Sequence, residues 1–333
     1  MSVASKRIIS VVGASGLVGS NIVREALKRG YSVNGTMRNS ADPKKEPYLK
    51  KLPGAEKNLN LFDANMNDSD SFSNAFANVD CVFVACLIPT FFGPSGKAAK
   101  EMDDQQGYDE IINPTVEGCL NILKSAAQKN IKNIVICSST SSTNPTPSVA
   151  VKNEGHWSDV DTQCKAKKYT SAAKTVMEKT AMKFAEDNGM RLSIILPTGL
   201  FGPVIIPSHL AGNPHAWINR LMEGGEGRHK KIPNDSTSLI HLHDLAEIFL
   251  TVYEKPEVSG RFYGVYGSWH WQDIYSELQK ILPDMKMPEP IVGKLVTPTQ
   301  FDFSRRDSLG VQLRDIPTCL RETVNWLRTE PFK

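Results

Sequence analysis

The chain has 333 residues, enough for one large domain or two modest ones with a sizeable core, which excludes a peptide or a disulfide-stapled miniprotein. With 40% apolar and 23% charged residues, and 39 Lys and Arg against 36 Asp and Glu, it is neither a disordered chain nor a nucleic-acid-coating one. The net charge of +3 steers toward no particular partner.

The six cysteines (Cys81, Cys86, Cys119, Cys137, Cys164 and Cys319) are scattered, with no C-x-x-C pair, and read as reduced thiols. Residues 1–7 run into an apolar strand without the pattern of a signal peptide. The longest apolar run, Cys81 to Gly93, contains Pro89 and falls short of the roughly 20 residues a membrane-spanning helix needs. A soluble cytoplasmic protein is expected, with no nucleic-acid, membrane or metal partner.

Short apolar runs at Arg7–Val12, Tyr31–Met37, Asn58–Phe62, Asp80–Cys86, Ile131–Cys137 and Arg191–Leu196 have the character of strands buried on both faces of a parallel sheet. Helical spacing separates them: Ile22, Val23, Ala26 and Leu27 share a face, as do Val116, Leu120, Leu123 and Ala127, and then Val176, Met177, Thr180 and Phe184. Gly30 and Asn188-Gly189 supply stop signals. This alternation predicts an α/β fold, a Rossmann-type doubly wound parallel sheet with ligands at the carboxyl ends of its strands. After residue 197 the rhythm breaks, with prolines at 197, 203, 207, 214 and 233. The division expected is a dinucleotide domain over 1–197, including a catalytic helix near 170–188, and a smaller substrate lobe over 198–333 with segments able to return to the sheet. Amphipathic stripes at 109–130 and 170–188 suit either pairing into a homodimer or packing on the sheet.

The first strand empties into Gly13-Ala14-Ser15-Gly16-Leu17-Val18-Gly19 and then a helix. Glycine permits the tight turn and close backbone approach to a pyrophosphate, whose charge meets free amides and the positive helix end. An NAD-specific site places an acid at the end of the second strand; here Arg38 stands there, with Lys44 and Lys45 a few residues on. A guanidinium forks onto phosphate, so NADP(H) is the expected cofactor.

Three later segments bring hydroxyls and a cation to the same sheet edge: Cys137-Ser138-Ser139-Thr140-Ser141-Ser142, Tyr169-Thr170-Ser171-Ala172-Ala173-Lys174, and Leu196-Pro197-Thr198-Gly199-Leu200. Together with the glycine loop, Asn113-Pro114-Thr115-Val116-Glu117-Gly118, His156-Trp157-Ser158-Asp159, His241-Leu242-His243-Asp244-Leu245 and Leu320 to Leu327, the chain resembles the extended short-chain dehydrogenase/reductases. It is most similar to the group around dihydroflavonol 4-reductase and cinnamoyl-CoA reductase. The resemblance implies that Ser139 hydrogen-bonds a substrate carbonyl, a tyrosine donates a proton and a lysine holds the nicotinamide ribose. A phenol of ordinary pKa ~10 becomes a usable acid if a fixed ammonium, here Lys174, stabilises its anion. Cofactor contacts are expected at Gly13, Ser15, Gly16, Leu17, Val18, Arg38, Lys45, Asn65, Met66, Ala85, Lys174, Pro197 and Thr198, and substrate contacts at Ile88, Asn144 and Leu200. Phe91, Phe92, Ile205, Ile206 and Trp217 are expected to make the pocket apolar.

One departure matters. The resemblance calls for Y-x-x-x-K, yet Thr170 stands four residues before Lys174 and Tyr169 five before it. At ~100° per residue those two positions point in different directions on a helix. If the helix begins after Tyr169 or bulges there, the phenol reaches the site; if the helix is regular, Thr170 takes its place. Tyr169 is the expected donor. The function expected is NADPH-dependent reduction of a ketone or aldehyde of a hydrophobic small molecule; alternatives are a double-bond reductase or epimerase on the same scaffold, or a non-catalytic NADP(H)-binding sensor. His241 and His243, two apart, are read as packing on one side of a strand, with no third ligand for a metal.

Overall fold

The computed structural model describes residues 7–86 and 93–333. The first half alternates strand and helix: β1 (Ile8–Val12), α1 (Leu17–Lys28), β2 (Ser32–Met37), β3 (Leu59–Asp63), β4 (Cys81–Val84), α2 (Asn113–Gln128), β5 (Asn133–Cys137), α3 (Tyr169–Asp187) and β6 (Arg191–Pro197). Then come β7 (Leu200–Phe201), α4 (His215–Met222), β8 (Ser236–His241), α5 (Leu242–Glu254), β9 (Gly260–Gly264), β10 (Gly267–His270), α6 (Trp271–Ile281) and α7 (Ile316–Arg328).

Seven strands form one parallel sheet in the order β9-β6-β5-β4-β1-β2-β3. The chain winds outward from β1 through β2 to β3, then crosses back to β4 beside β1. That reversal opens a crevice at the carboxyl ends of β1 and β4, where ligands of such sheets bind. The central strands are mostly apolar on both sides because both faces are covered. On one face Ile22, Val23 and Ala26 of α1 pack with Ile248, Phe249 and Val252 of α5; on the other Ile122, Leu123 and Ala126 of α2 pack with Met177, Ala181 and Ala185 of α3.

The expected boundary at 197/198 is crossed twice, since α5 packs on α1 and β9 pairs with β6 from Gly260 beside Ser193 to Gly264 beside Pro197. The second lobe keeps its own core of Trp217, Ile218, Trp271, Tyr275, Leu320 and Val324, beneath the three-stranded sheet β10-β8-β7. Two pocket expectations are corrected by it. Trp217 and Ile206 are fully buried, Trp217 against the rings of Trp271 and Tyr275, so they build cores rather than walls of a cleft. His241 and His243 do not share a strand face either: His241 ends β8 and caps α5, its Nδ1 accepting the backbone N–H of His243 at 3.2 Å. No helix among the described residues is long and apolar enough to cross a membrane.

Candidate active site

The glycine loop between β1 and α1 is held open by its own backbone. The Thr36 carbonyl at the end of β2 accepts from Gly13 N–H at 3.1 Å and Ala14 N–H at 3.0 Å. Gly13 has φ +80°, and a Cβ there would stand 2.2 Å from the Cβ of Cys86. A Cβ on Gly19 would meet the Gly13 carbonyl oxygen at 2.1 Å, so the helix can press this close to the loop only as glycine. Beside the loop lies a cavity of about 980 Å³ lined by Gly13, Ser15, Gly16, Arg38, Lys45, Asn65, Met66 and Ala85. Its volume and its pairing of the glycine loop and the N-terminal end of α1 with two cations fit a dinucleotide carrying an extra phosphate.

Other expected cofactor residues lie off this lining. Leu17 and Val18 form the first turn of α1, Val18 packing into the core; Pro197 ends β6, and Thr198 shares a hydrogen bond with the Thr140 hydroxyl. Cys86, Glu110 and Glu117 line the cavity without having been anticipated. Nor was His209, whose Nε2 reaches the Ser15 carbonyl at 3.1 Å from the second lobe, 194 residues away in sequence. No local pattern announces a contact of that span.

The Ser139 hydroxyl caps the short turn that follows β5, accepting from Ser141 N–H at 3.2 Å while keeping its own proton to donate. Lys174, on α3, is 8% exposed and gives its ammonium one long hydrogen bond, 3.5 Å, to the Cys137 carbonyl at the end of β5. Burial pushes its pKa down, against the opposing pull of Cys137, Glu178 and the other nearby thiols.

The loop after Ser139 is fixed by a buried ion pair. Glu178, one turn beyond Lys174, accepts from the Ser138 hydroxyl and pairs with Arg261 Nε of β9 at 2.8 Å. Arg261 also donates to the carbonyls of Glu154 at 2.6 Å and His156 at 2.7 Å and to Ser142 Oγ at 2.9 Å, and its guanidinium lies 3.7 Å from the centre of the Trp157 ring. Asn144 stands exposed on this loop, its Oδ1 accepting from Lys152 Nζ at 2.6 Å, and Leu200 is partly buried against the core. Ile88, Phe91 and Phe92 lie outside the described residues.

Tyr169 is where expectation and structure part. The helix is regular from Tyr169 onward, so the phenol follows helical register and turns away from Lys174. It is completely buried among Met102, Ile111, Ile112, Cys164, Ala172 and Ala173, with its ring against Gly107. Its hydroxyl donates to Asp104 Oδ1 at 2.6 Å. Burial and that carboxylate both push the phenol's pKa up, the opposite of what a proton donor near neutrality needs. On the Lys174 face stands Thr170, whose buried Oγ1 has no hydrogen-bond partner among the described residues.

A parallel doubly wound sheet with a glycine loop and two cations beside it defines a dinucleotide-binding α/β fold. The chain belongs to the NAD dependent epimerase/dehydratase family, whose model matches residues 9–265. Over 98% of its length it is 30% identical to a cinnamoyl-CoA reductase of Medicago truncatula, covering 97% of that protein. It is 35% identical to a dihydroflavonol 4-reductase of Callistephus chinensis over 76% of this chain and 67% of that one. Vestitone reductase from alfalfa (Medicago sativa) superposes with a TM-score of 0.78 at 22% identity, over 98% of this chain and all 100% of that one. Yeast methylglyoxal/isovaleraldehyde reductase, solved with NADPH, superposes with a TM-score of 0.76 at 20% identity, over 97% and 99%. The chain is an NADP-dependent reductase of the extended short-chain dehydrogenase/reductase type.

Proposed function

We propose that the protein reduces the carbonyl of a hydrophobic ketone or aldehyde to the alcohol with NADPH, in the cytoplasm. The observation that carries this reading is the convergence at one sheet edge of the glycine loop, Arg38 and Lys45 with Ser139 and the Lys174 ammonium. The relatives support it, being named as reductases of cinnamoyl-CoA and of dihydroflavonol.

Gly13, Ser15 and Gly16 would hold the pyrophosphate, Arg38 and Lys45 the 2'-phosphate, and Lys174 the nicotinamide ribose. The cofactor supplies a hydride when bound. Ser139 donates a hydrogen bond to the substrate carbonyl and steadies the negative charge that develops on oxygen. Arg261, through Glu178 and the loop carbonyls, keeps Ser139 in place. Two copies pair through α2 and α3, where Leu120, Thr180 and Phe184 border a shallow hollow of about 430 Å³; light scattering reads the mass.

The test is loss of NADPH absorbance over a panel of aromatic and aliphatic aldehydes and ketones, with NADH as the comparison. Turnover with NADPH is expected; no consumption on any carbonyl overturns the reading. In Arg38→Ala, NADP+ should bind roughly 10 to 100-fold more weakly and NAD+ about as before, because a hydrogen bond to a charged group contributes about 1.5–3 kcal/mol. Calorimetric titration of both nucleotides checks it.

A further inference from the structure

We propose that His209 makes the second lobe part of the dinucleotide site: its imidazole N–H sets the plane of the Ser15–Gly16 peptide, over which the cofactor's pyrophosphate lies. His209 is a positioning residue, and the proposal rests on the NADPH reading.

The first support is the geometry of one peptide unit. The Ser15 carbonyl can only accept, so His209 Nε2, 3.1 Å away, carries the proton of that bond. The Gly16 N–H of the same peptide donates to the Gly13 carbonyl at 2.9 Å. A peptide unit is planar, so ties at both of its ends fix the orientation of the whole unit. Ser15 and Gly16 both line the dinucleotide cavity.

The second is how His209 is held. It sits on a single helical turn, Pro207–Ala211. Before the turn, Ile205 and Ile206 are buried in the same core as Val18 and Ile22 of α1; after it, Trp217, Ile218 and Leu221 of α4 are buried in the core of the second lobe. The turn is anchored from both lobes.

The third is the rest of the ring. Nδ1 is buried with no hydrogen-bond partner among the described residues. Burial above all, and then His215 and Lys45, push the pKa of the ring down against the pull of the Ser15 carbonyl. Near neutrality the ring therefore has one proton, and that proton is committed to Ser15.

Without this tie the loop spends time in other shapes, and the affinity for a nucleotide falls by the fraction of time lost. The loss belongs to the pyrophosphate, which NADP+ and NAD+ share, whereas Arg38 and Lys45 act on the 2'-phosphate.

The experiment titrates NADP+, NAD+ and adenosine 2'-monophosphate, which has no pyrophosphate, calorimetrically into wild type, His209→Leu, His209→Asn and His209→Gln, with urea unfolding of each nucleotide-free protein. Glutamine carries an amide N–H to the reach of Nε2, asparagine stops a bond short, and leucine fills the space with no donor. Leu and Asn should bind both dinucleotides about 3 to 10-fold more weakly, by the same factor, with the KM for NADPH rising in step. Adenosine 2'-monophosphate should bind them as it binds wild type. Gln should stay within about 2-fold of wild type for every ligand. The nucleotide-free stability of Leu should change little, since it loses one bond and one unsatisfied nitrogen together.

Wild-type dinucleotide affinity in Leu or Asn overturns the proposal. An equal loss for adenosine 2'-monophosphate overturns it too, since that is general damage to the site, and so does a Gln variant as weak as Leu. A variant that loses stability yet binds NADP+ normally makes the bond structural only. A wild-type protein that binds NADP+ but reduces no carbonyl overturns the reductase reading while the affinities still decide the role of His209; one that binds neither dinucleotide overturns both.

Discussion

At the scale of single residues, Tyr169 and Gly107 form one fitted pair. A Cβ at Gly107 would stand 2.4 Å from the Tyr169 ring, and the ring has no room to retreat because it is completely buried. Gly107→Ala should therefore cost about 1–3 kcal/mol, the usual penalty of overpacking a closed core. Tyr169→Leu, which loses the Asp104 bond and some buried ring, should cost a similar amount. The double variant should cost less than the sum, since each change removes what the other collides with; chemical denaturation of all four proteins checks that coupling. The tyrosine's presence near Lys174 was legible in the sequence, but its direction was not. What decides it is Asp104, 65 positions earlier in the chain, and no periodicity around residue 169 reports that contact. The glycine loop and Arg38, by contrast, were legible because strand, turn and helix are consecutive and each demands its own residue types locally.

At the scale of elements, the strands of the first half could be placed within a residue or two, because strands covered on both faces carry mostly apolar side chains in short runs. The edge strand β9 could not be assigned to that sheet, since Gly260–Gly264 follows a lobe of different rhythm and carries a buried arginine. That arginine is the reason the loop after Ser139 has one shape: Arg261 ties it at Ser142, Glu154 and His156 while pairing with Glu178 on the helix of Lys174. Arg261→Met would leave the Glu178 carboxylate buried without its partner, at a cost of about 3–5 kcal/mol. Turnover should fall as well, because Ser139 loses the frame that positions it, while nucleotide affinity at the far side of the crevice should change little. Adding Glu178→Gln to Arg261→Met should recover part of the stability, since the uncompensated charge is gone. Urea unfolding and NADP+ titration on the three variants separate these effects.

At the scale of the whole molecule, the returning helix α5 locks the second half of the chain onto the first. Arg29, which caps the C-terminus of α1, pairs with Glu247 at 2.5 Å and Glu254 at 2.6 Å, and His243 lies 3.0 Å from the buried carboxylate of Glu25. Despite its buried position, Glu25 titrates at about 2, held down by His243 and Arg24. At the head of the same helix, His241 is buried and pushed down to about 3, first by burial and then by Arg314. Because its Nδ1 accepts the capping N–H, the neutral ring carries its proton on Nε2, 3.3 Å from Glu322. Both groups hold a depressed pKa in the folded protein, so in both cases the unfolded chain binds the extra proton first. The His241 contribution is complete above the ordinary imidazole value of about 6.5 and is lost as pH falls toward about 3; Glu25 adds a second loss below the ordinary carboxylate value near 4.3. Stability should thus decline by up to about 1.4 kcal/mol per pH unit from just below neutrality, and more steeply below about pH 4.5. Asparagine is a good helix cap and does not titrate, so His241→Asn should keep α5 and flatten only the upper part of the decline. Denaturant midpoints from pH 8 to 4 read the difference: a variant that still loses stability from pH 6.5 downward would place the sensitive group elsewhere. A decline that begins only below about pH 4.5 would assign the acid sensitivity to Glu25 alone.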